Sequence, residues 1–400
     1  MIDCVPMNNH IRARRPYSPI ERLQLGDIGL QAKVLLGAAA AASLLATRPA
    51  AAENEGRSVG KVIVIAMENH NFTQPNPTTT PEQILGNPAA PYINSLVTPG
   101  HPNAAQVSYA VSYHNAGHGV HPSEPNYVWA EAGTDFGVHT DADPSAAAKN
   151  IFTADHFTAQ LNAAGVSWKN YQEDVELSTA PTKSASGITG PVNPYYKTTQ
   201  FNYAVKHNPM AFFADTATAN VYPLDQFFAD LDGDSLARYS WITPNQFNDA
   251  HSALIGGFTY HGTLFIGDQA SIAQGDNFLA TVVPQIMASD VFEENGVIVI
   301  WWDESEGGDG LDRAIPEIVI SPLAKGNAYA SSVELNHSSD IKTWEVVFGA
   351  PFLTNAIPTA ETDAAGTGYN DVATVSDLSD LFLPGSIHFS PDKGKHQGDE

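Results

Sequence analysis

Lys61-Val-Ile-Val-Ile-Ala-Met67, followed at once by Glu68-Asn69-His70-Asn71-Phe72, decides the fold class. Its aliphatic run does not alternate with polar residues. A strand with one wet face alternates, so an unbroken run reads as a strand buried on both faces, as in a parallel sheet. A second and stronger run, Gly296-Val-Ile-Val-Ile-Trp-Trp302, ends in the same way at Asp303-Glu304. Tyr239-Ser-Trp-Ile-Thr243 reads as a third strand and is closed by Pro244-Asn245. Ligands of open α/β sheets bind beyond the carboxyl ends of the strands, so the polar residues at these ends are candidate site residues.

Between these strands the spacing predicts helices over 91–96, 126–132, 151–164, 225–231, 276–288 and 338–348, and further strands over 107–113, 166–171 and 315–322. Segments 178–200 and 255–268 read as loops, the first as an insertion or lid over the sheet. The alternation of strand and helix predicts an α/β fold: a three-layer α/β/α sandwich around a mainly parallel sheet. With no internal repeat and no Pro/Ser-rich linker, residues 53–385 read as one domain and 386–400 as a polar tail.

The 400-residue chain carries 19 Lys+Arg against 44 Asp+Glu, a formal net charge of −25. Such a surface repels nucleic acid and anionic membranes, and it repels anionic substrates unless the site reverses the field locally. The first 52 residues differ in kind. Arg12, Arg14, Arg15, Arg22 and Lys33 precede the apolar run 34–46 and the small residues Ala50-Ala-Ala52. That order predicts a cleaved export signal, a secreted or periplasmic protein, and no stable membrane insertion after cleavage. Cleavage would remove Cys4, the only cysteine, and with it any disulfide or thiol chemistry.

In His121-Pro-Ser-Glu-Pro-Asn126, Ser123 sits between two prolines just before a helical run. Proline restricts its own φ and its neighbour's conformation, which predicts a non-helical turn at Ser123. Two readings stand. One is a stiffened turn with Asn126 as N-cap. The other is a serine poised to attack phosphorus at a helix N-terminus, with Asn126 donating to a phosphoryl oxygen.

Four polar strand ends and helix starts then become informative together: Glu68-Asn69, Asn248-Asp249-x-His251, Asp303-Glu304 and His337. Parallel strands deliver their ends to one edge. Carboxylates, an amide oxygen and an alkoxide make a hard oxygen site for a divalent cation, with histidines around a phosphoryl group. His114, His118 and His121 cluster just before the serine, and His207-Asn-Pro209 supplies another imidazole.

These pieces, with Pro91-Tyr-Ile-Asn94, Leu161-Asn-Ala-Ala-Gly-Val-Ser-Trp168, Ile242-Thr-Pro-Asn245, Gly307-Gly308 and Ile320-Ser-Pro322, resemble in order and spacing the bacterial phosphoesterase family of acid phosphatases and phosphatidylcholine-type phospholipases C. That family is related to the alkaline phosphatase superfamily. The resemblance implies an alkaline phosphatase-like fold and a phosphoesterase working through a phosphoseryl intermediate. It implies Glu68, Asn69, Ser123, Asp303 and Glu304 as ligands of one or two divalent ions. Ser123 would be the nucleophile, with His251 and His337 as catalytic histidines. Asn126, His207, His121 and Asp249 would bind the substrate or steer those that do. One departure stands out. Asp309-Gly-Leu-Asp312-Arg313 lacks the histidine that many family members carry after the double glycine. Expected substrates are small phosphate esters, with a phospholipid or other diester as the alternative. A ligand-binding protein on an inactive phosphoesterase scaffold is the non-enzyme alternative.

Overall fold

A computed structural model describes residues 57–117, 119–178, 181–358 and 371–391. The apolar run of the expected export signal, His118 and most of the polar tail lie outside these residues. Among the described residues no helix is long and apolar enough to cross a membrane.

The strands are β1 (Val62–Met67), β2 (Val107–Ala110), β3 (Tyr113–His114), β4 (Trp168–Gln172), β5 (Ala185–Gly187), β6 (Phe201–Tyr203) and β7 (Val221–Pro223). They continue as β8 (Tyr239–Thr243), β9 (Phe258–Tyr260), β10 (Thr263–Phe265), β11 (Val297–Trp302), β12 (Glu317–Ile320), β13 (Tyr329–Ser331) and β14 (Leu335–Asn336). Eight of them form one sheet in the order β13-β2-β12-β11-β1-β8-β4-β7. All neighbours run parallel except at β12, which opposes both β11 and β2. The expected mainly parallel α/β sheet is therefore present, with one reversed strand.

The reversal has a functional consequence. Because β12 runs back beside β11, the whole 303–316 connection stays at the carboxyl edge of the sheet.

Every residue of β1 and β11 is buried. Each aliphatic side chain removed from water there contributes roughly 1.5–3 kcal/mol before conformational entropy is subtracted. Tyr127, Trp241 and Trp301 meet edge-to-face beside these strands, with centroids 5.2–6.3 Å apart. At the opposite edge β1 enters past Gly60, where a Cβ would lie 2.4 Å from the Glu294 carbonyl oxygen, so only glycine fits that approach.

Several boundaries differ from the sequence reading. The segment read as loop at 255–268 contains the antiparallel hairpin β9–β10. The helix expected from 276 begins at Asp268, and the one expected from 151 begins at Phe157. The long helix was obscured because Gln274 and Asp276, polar and buried, interrupt its apolar face. Asp276 is buried for a reason: its two oxygens accept from Tyr92 N (3.0 Å) and Ile93 N (2.7 Å), capping the helix Pro91–Leu96, which has no cap of its own.

The most consequential correction concerns Ser123. It does not lie in a non-helical turn. Pro122 is the N-cap, Ser123 is the first residue of the helix Ser123–Ala132, and Pro125 is accommodated within its first turn, where an N–H is not needed. Asn126 is therefore inside the helix and is not its cap.

Candidate active site

The ends of β1 and β11 are tied together. Asp303 N donates to Met67 O (3.3 Å) and Asn69 N to Asp303 Oδ1 (3.0 Å). Asn69 takes a left-handed φ of 51°, which asparagine tolerates better than most residues, and this turns its backbone N–H towards Asp303. Glu68 N donates to Asp249 O (2.8 Å), which joins the β8 connection to the same edge. Glu68, Asp249, Asp303 and Glu304 are all buried.

Ser123 is brought into this group by its helix. Its Oγ lies 3.1 Å from Glu68 Oε2 and 3.4 Å from Glu304 Oε1. Asn126, one turn on, directs Nδ2 to Val120 O (3.0 Å), Pro122 O (3.3 Å) and Glu304 Oε2 (3.3 Å). Its donor thus has partners within the protein, and its Oδ1 is buried without one. His121 faces two carboxylates. It bridges Glu304 Oε2 and Asp309 Oδ1, the latter at 2.7 Å. Burial opposes the imidazolium, but the two carboxylates prevail and raise its pKa to about 10. The histidine-free loop therefore answers with Asp309, and His121 orients Glu304.

The remaining histidines separate into two groups. His207 is buried, stacks on Tyr127 at 5.1 Å, and places Nε2 2.9 Å from Glu68 Oε1 and Nδ1 3.0 Å from Asp249 Oδ2. Asp249 Oδ1 accepts from His251 N at 2.8 Å, so one carboxylate positions both segments. His251 is half-buried, with Nδ1 at 2.9 Å from Ser252 Oγ and Nε2 at 3.3 Å from Lys206 Nζ. Burial, then the neighbouring His207, Lys206 and His70, lower its pKa to about 2, so it is neutral and its Nε2 accepts from the ammonium.

His337 does not join them. It is fully buried, packs against Trp301 (4.7 Å) and Tyr113 (5.7 Å), and bonds the Trp302 carbonyl through Nε2 (3.2 Å). That contact supports the backbone leading into Asp303. It is a positioning contact, and the other ring nitrogen, Nδ1, is buried without a hydrogen-bond partner.

Burial raises Glu68 to about 7 and Asp249 to about 7, and it raises Glu304 and, more strongly, Asp303. Four carboxylates are crowded out of water with too little positive charge to balance them. Asn69 Oδ1, Asn126 Oδ1 and Asp303 Oδ2 are buried with no hydrogen-bond donor, and Glu68 Oε1 has the His207 Nε2 contact at 2.9 Å, which lacks hydrogen-bond geometry. A cluster of orphaned oxygens with surplus negative charge suits a hard divalent cation. Glu68, His207 and His251 also present ligand atoms within 4.8 Å of one another, a second grouping that shares Glu68.

Sequence reasoning missed Lys206, Asp141 and Tyr127. Lys206 precedes His207 directly, but one basic residue among 19 carries no signal. Asp141 lies in a loop, and only the fold brings it to the first turn of the Ser123 helix.

Residues 98–351 match the model of the Phosphoesterase family, and the chain belongs to that family. It is a hydrolase of phosphoric esters. A phosphatidylinositol-3-phosphatase of Mycobacterium tuberculosis is 26% identical over 80% of this chain and 89% of that protein. A probable acid phosphatase of Kluyveromyces lactis is 27% identical over 59% of this chain and 55% of its own length. Phospholipase C A of M. tuberculosis is 24% identical over 57% and 46%. The chain thus spans about half the length of the last two.

Proposed function

We propose that the protein is a secreted, metal-dependent phosphomonoesterase of the acid phosphatase type in which Ser123 carries the phosphoryl group. The carrying observation is the position of Ser123 Oγ, between Glu68 Oε2 (3.1 Å) and Glu304 Oε1 (3.4 Å), beside buried oxygens that lack donors. Glu68, Asn69, Asp303 and Glu304, with Ser123, would hold the divalent ion. Once bound, the ion supplies positive charge that acidifies a hydroxyl and offsets charge developing on phosphorus.

The chain's own residues do the rest. The Ser123 hydroxyl proton moves along its hydrogen bond to Glu68 Oε2 as Oγ attacks phosphorus. The P–O bond to the alcohol breaks, and the leaving oxygen takes a proton from solvent water, while the proton held by Glu68 returns to Ser123 Oγ in the next step. Water then attacks the phosphoserine, releases inorganic phosphate and restores the hydroxyl. His121 keeps Glu304 oriented, and Asp249 keeps His207 and His251 in place.

Ser123→Ala tests this reading. Turnover of 4-nitrophenyl phosphate should fall by about a thousandfold or more. Acid quenching of the wild type during turnover should trap one phosphoserine. Wild-type turnover in the variant would refute the assignment.

A diester reading, with a phospholipid as substrate, has one observation in its favour. Ile255, Leu264 and Ile266, in the segment that follows His251, are 78%, 61% and 72% exposed. The last two converge over Gly257, where a Cβ would lie 3.4 Å and 3.1 Å from their side chains. Exposed apolar groups of this kind suit acyl chains better than water. Comparable turnover of short-chain phosphatidylcholine and of 4-nitrophenyl phosphate would favour this second reading.

A further inference from the structure

A chain of net charge −25 must draw an anionic ester to a site that holds four buried carboxylates. Lys206 places a positive charge beside the attacking oxygen. Its Nζ lies 3.4 Å from Ser123 Oγ, 3.3 Å from His251 Nε2 and 3.0 Å from Asp141 Oδ2. The backbone under it is anchored, because it lies in the short helical turn Val205–His207 and the next residue, His207, is buried and bound to Asp249. The ammonium side chain is only 13% exposed.

Asp141 is the more exposed partner, at 35%. Its Oδ2 accepts from Lys206, and its Oδ1 accepts from Glu124 N (3.1 Å), the N–H that follows Ser123. One surface carboxylate therefore spans two donors, the Lys206 ammonium beside Ser123 Oγ and the backbone N–H of the next residue. Two oxygens of a bound phosphoryl group would seek the same two donors.

We propose that Lys206 is a specificity-determining residue of the site: its ammonium pairs with the second negative charge of a phosphomonoester, and Asp141 holds it beside Ser123 until an ester displaces the carboxylate. This rests on the reading of Ser123 as nucleophile. A monoester near neutral pH carries close to two charges and three terminal oxygens. A diester carries one charge, with an ester arm in place of the third oxygen. Charge-assisted N–H···O bonds in a site shielded from water reward the dianion and offer little to an esterified oxygen. Lys206 thereby selects monoesters over diesters, and Asp141 competes weakly with the substrate.

Four variants test this in the metal-replete protein: Lys206→Met, Lys206→Arg, Asp141→Asn and Ser123→Ala. The readouts are kcat/KM for 4-nitrophenyl phosphate and bis(4-nitrophenyl) phosphate, with inhibition constants for inorganic phosphate and for the diester. Lys206→Met should lose about 100-fold on the monoester and under about 10-fold on the diester. Lys206→Arg should keep part of the preference. Asp141→Asn should lower KM for the monoester and tighten inorganic phosphate, leaving the diester where it was. Equal losses on both esters in Lys206→Met, or no loss on either, would overturn the proposal. If Lys206→Met does not fold, as judged by circular dichroism, an unchanged monoester-to-diester ratio in both Lys206→Arg and Asp141→Asn would overturn it instead. Turnover surviving in Ser123→Ala would remove the nucleophile reading alone, since the charge preference of Lys206 is read from the ratio of the two esters.

Discussion

Glu345 offers a test of burial physics away from the site. It lies in the helix His337–Phe348 and is buried. Oε1 accepts from Leu353 N at 2.8 Å, and Oε2 has no hydrogen-bond partner. Burial raises its pKa to about 8, with the Leu353 N–H and Lys342 pulling the other way. The folded protein therefore keeps this proton between pH 4.5 and about 8, while the unfolded chain has released it. Its contribution to stability is full below pH 4.5 and declines as pH rises through that window. At about 1.4 kcal/mol per pH step, the decline reaches about 5 kcal/mol. Glu345→Gln keeps the shape and cannot ionise. The neutral carboxyl leaves one O–H unpaired and the amide two N–H groups, so the variant should start somewhat below the wild type in urea midpoint at pH 4.5 and gain on it as pH rises. The variant should become progressively more stable up to pH 8.5, at constant m-value. Parallel midpoint curves across this range would show that the carboxylate is not held neutral, and the reasoning would fail.

Asp276→Ala leaves Tyr92 N and Ile93 N without an acceptor at the start of their helix, and should cost about 2–3 kcal/mol in urea unfolding without changing the m-value. Asp249→Asn disturbs the link between His207 and His251, and should lower kcat about 10–100-fold while the circular dichroism spectrum stays the same. Chelation with EDTA should abolish aryl phosphate turnover and lower Tm, and both should return in proportion to added divalent ion. A Tm indifferent to chelation would speak against a metal among Glu68, Asn69, Asp303 and Glu304. Gly60→Ala should shift the β1 entry away from the Glu294 carbonyl and lower Tm by several degrees without a change in KM.

The central strands were readable because burial on both faces demands an uninterrupted apolar run, and little else in a soluble chain looks like one. Glu68, Asp303 and Asp249 were readable as site candidates for a related reason: a carboxylate directly after or soon after such a run must lie at the sheet edge. Hairpin β9–β10 was hidden because strands of three residues cannot establish an alternation, and Gly256, Gly257, Gly262 and Gly267 make the segment look like loop. The prolines around Ser123 suggested a turn, yet Pro is well tolerated in the first turn of a helix, and tertiary packing of Tyr127 and Trp129 extended the helix back to the serine.

By itself, the sequence determined the α/β class, the parallel centre and the edge at which polar groups gather, since these follow from local runs of hydrophobicity and the residues that end them. Only the tertiary structure decided what those groups do to one another. Lys206 meets Ser123 across 83 positions, and Glu304 meets His121 across 183. Such contacts depend on how separate strand connections fold over one edge, and no local pattern encodes that. The same holds for the internal bonds of the Asn126 amide, the contact of His337 with the Trp302 carbonyl and the neutral state of His251, because hydrogen bonding and desolvation are properties of the assembled site.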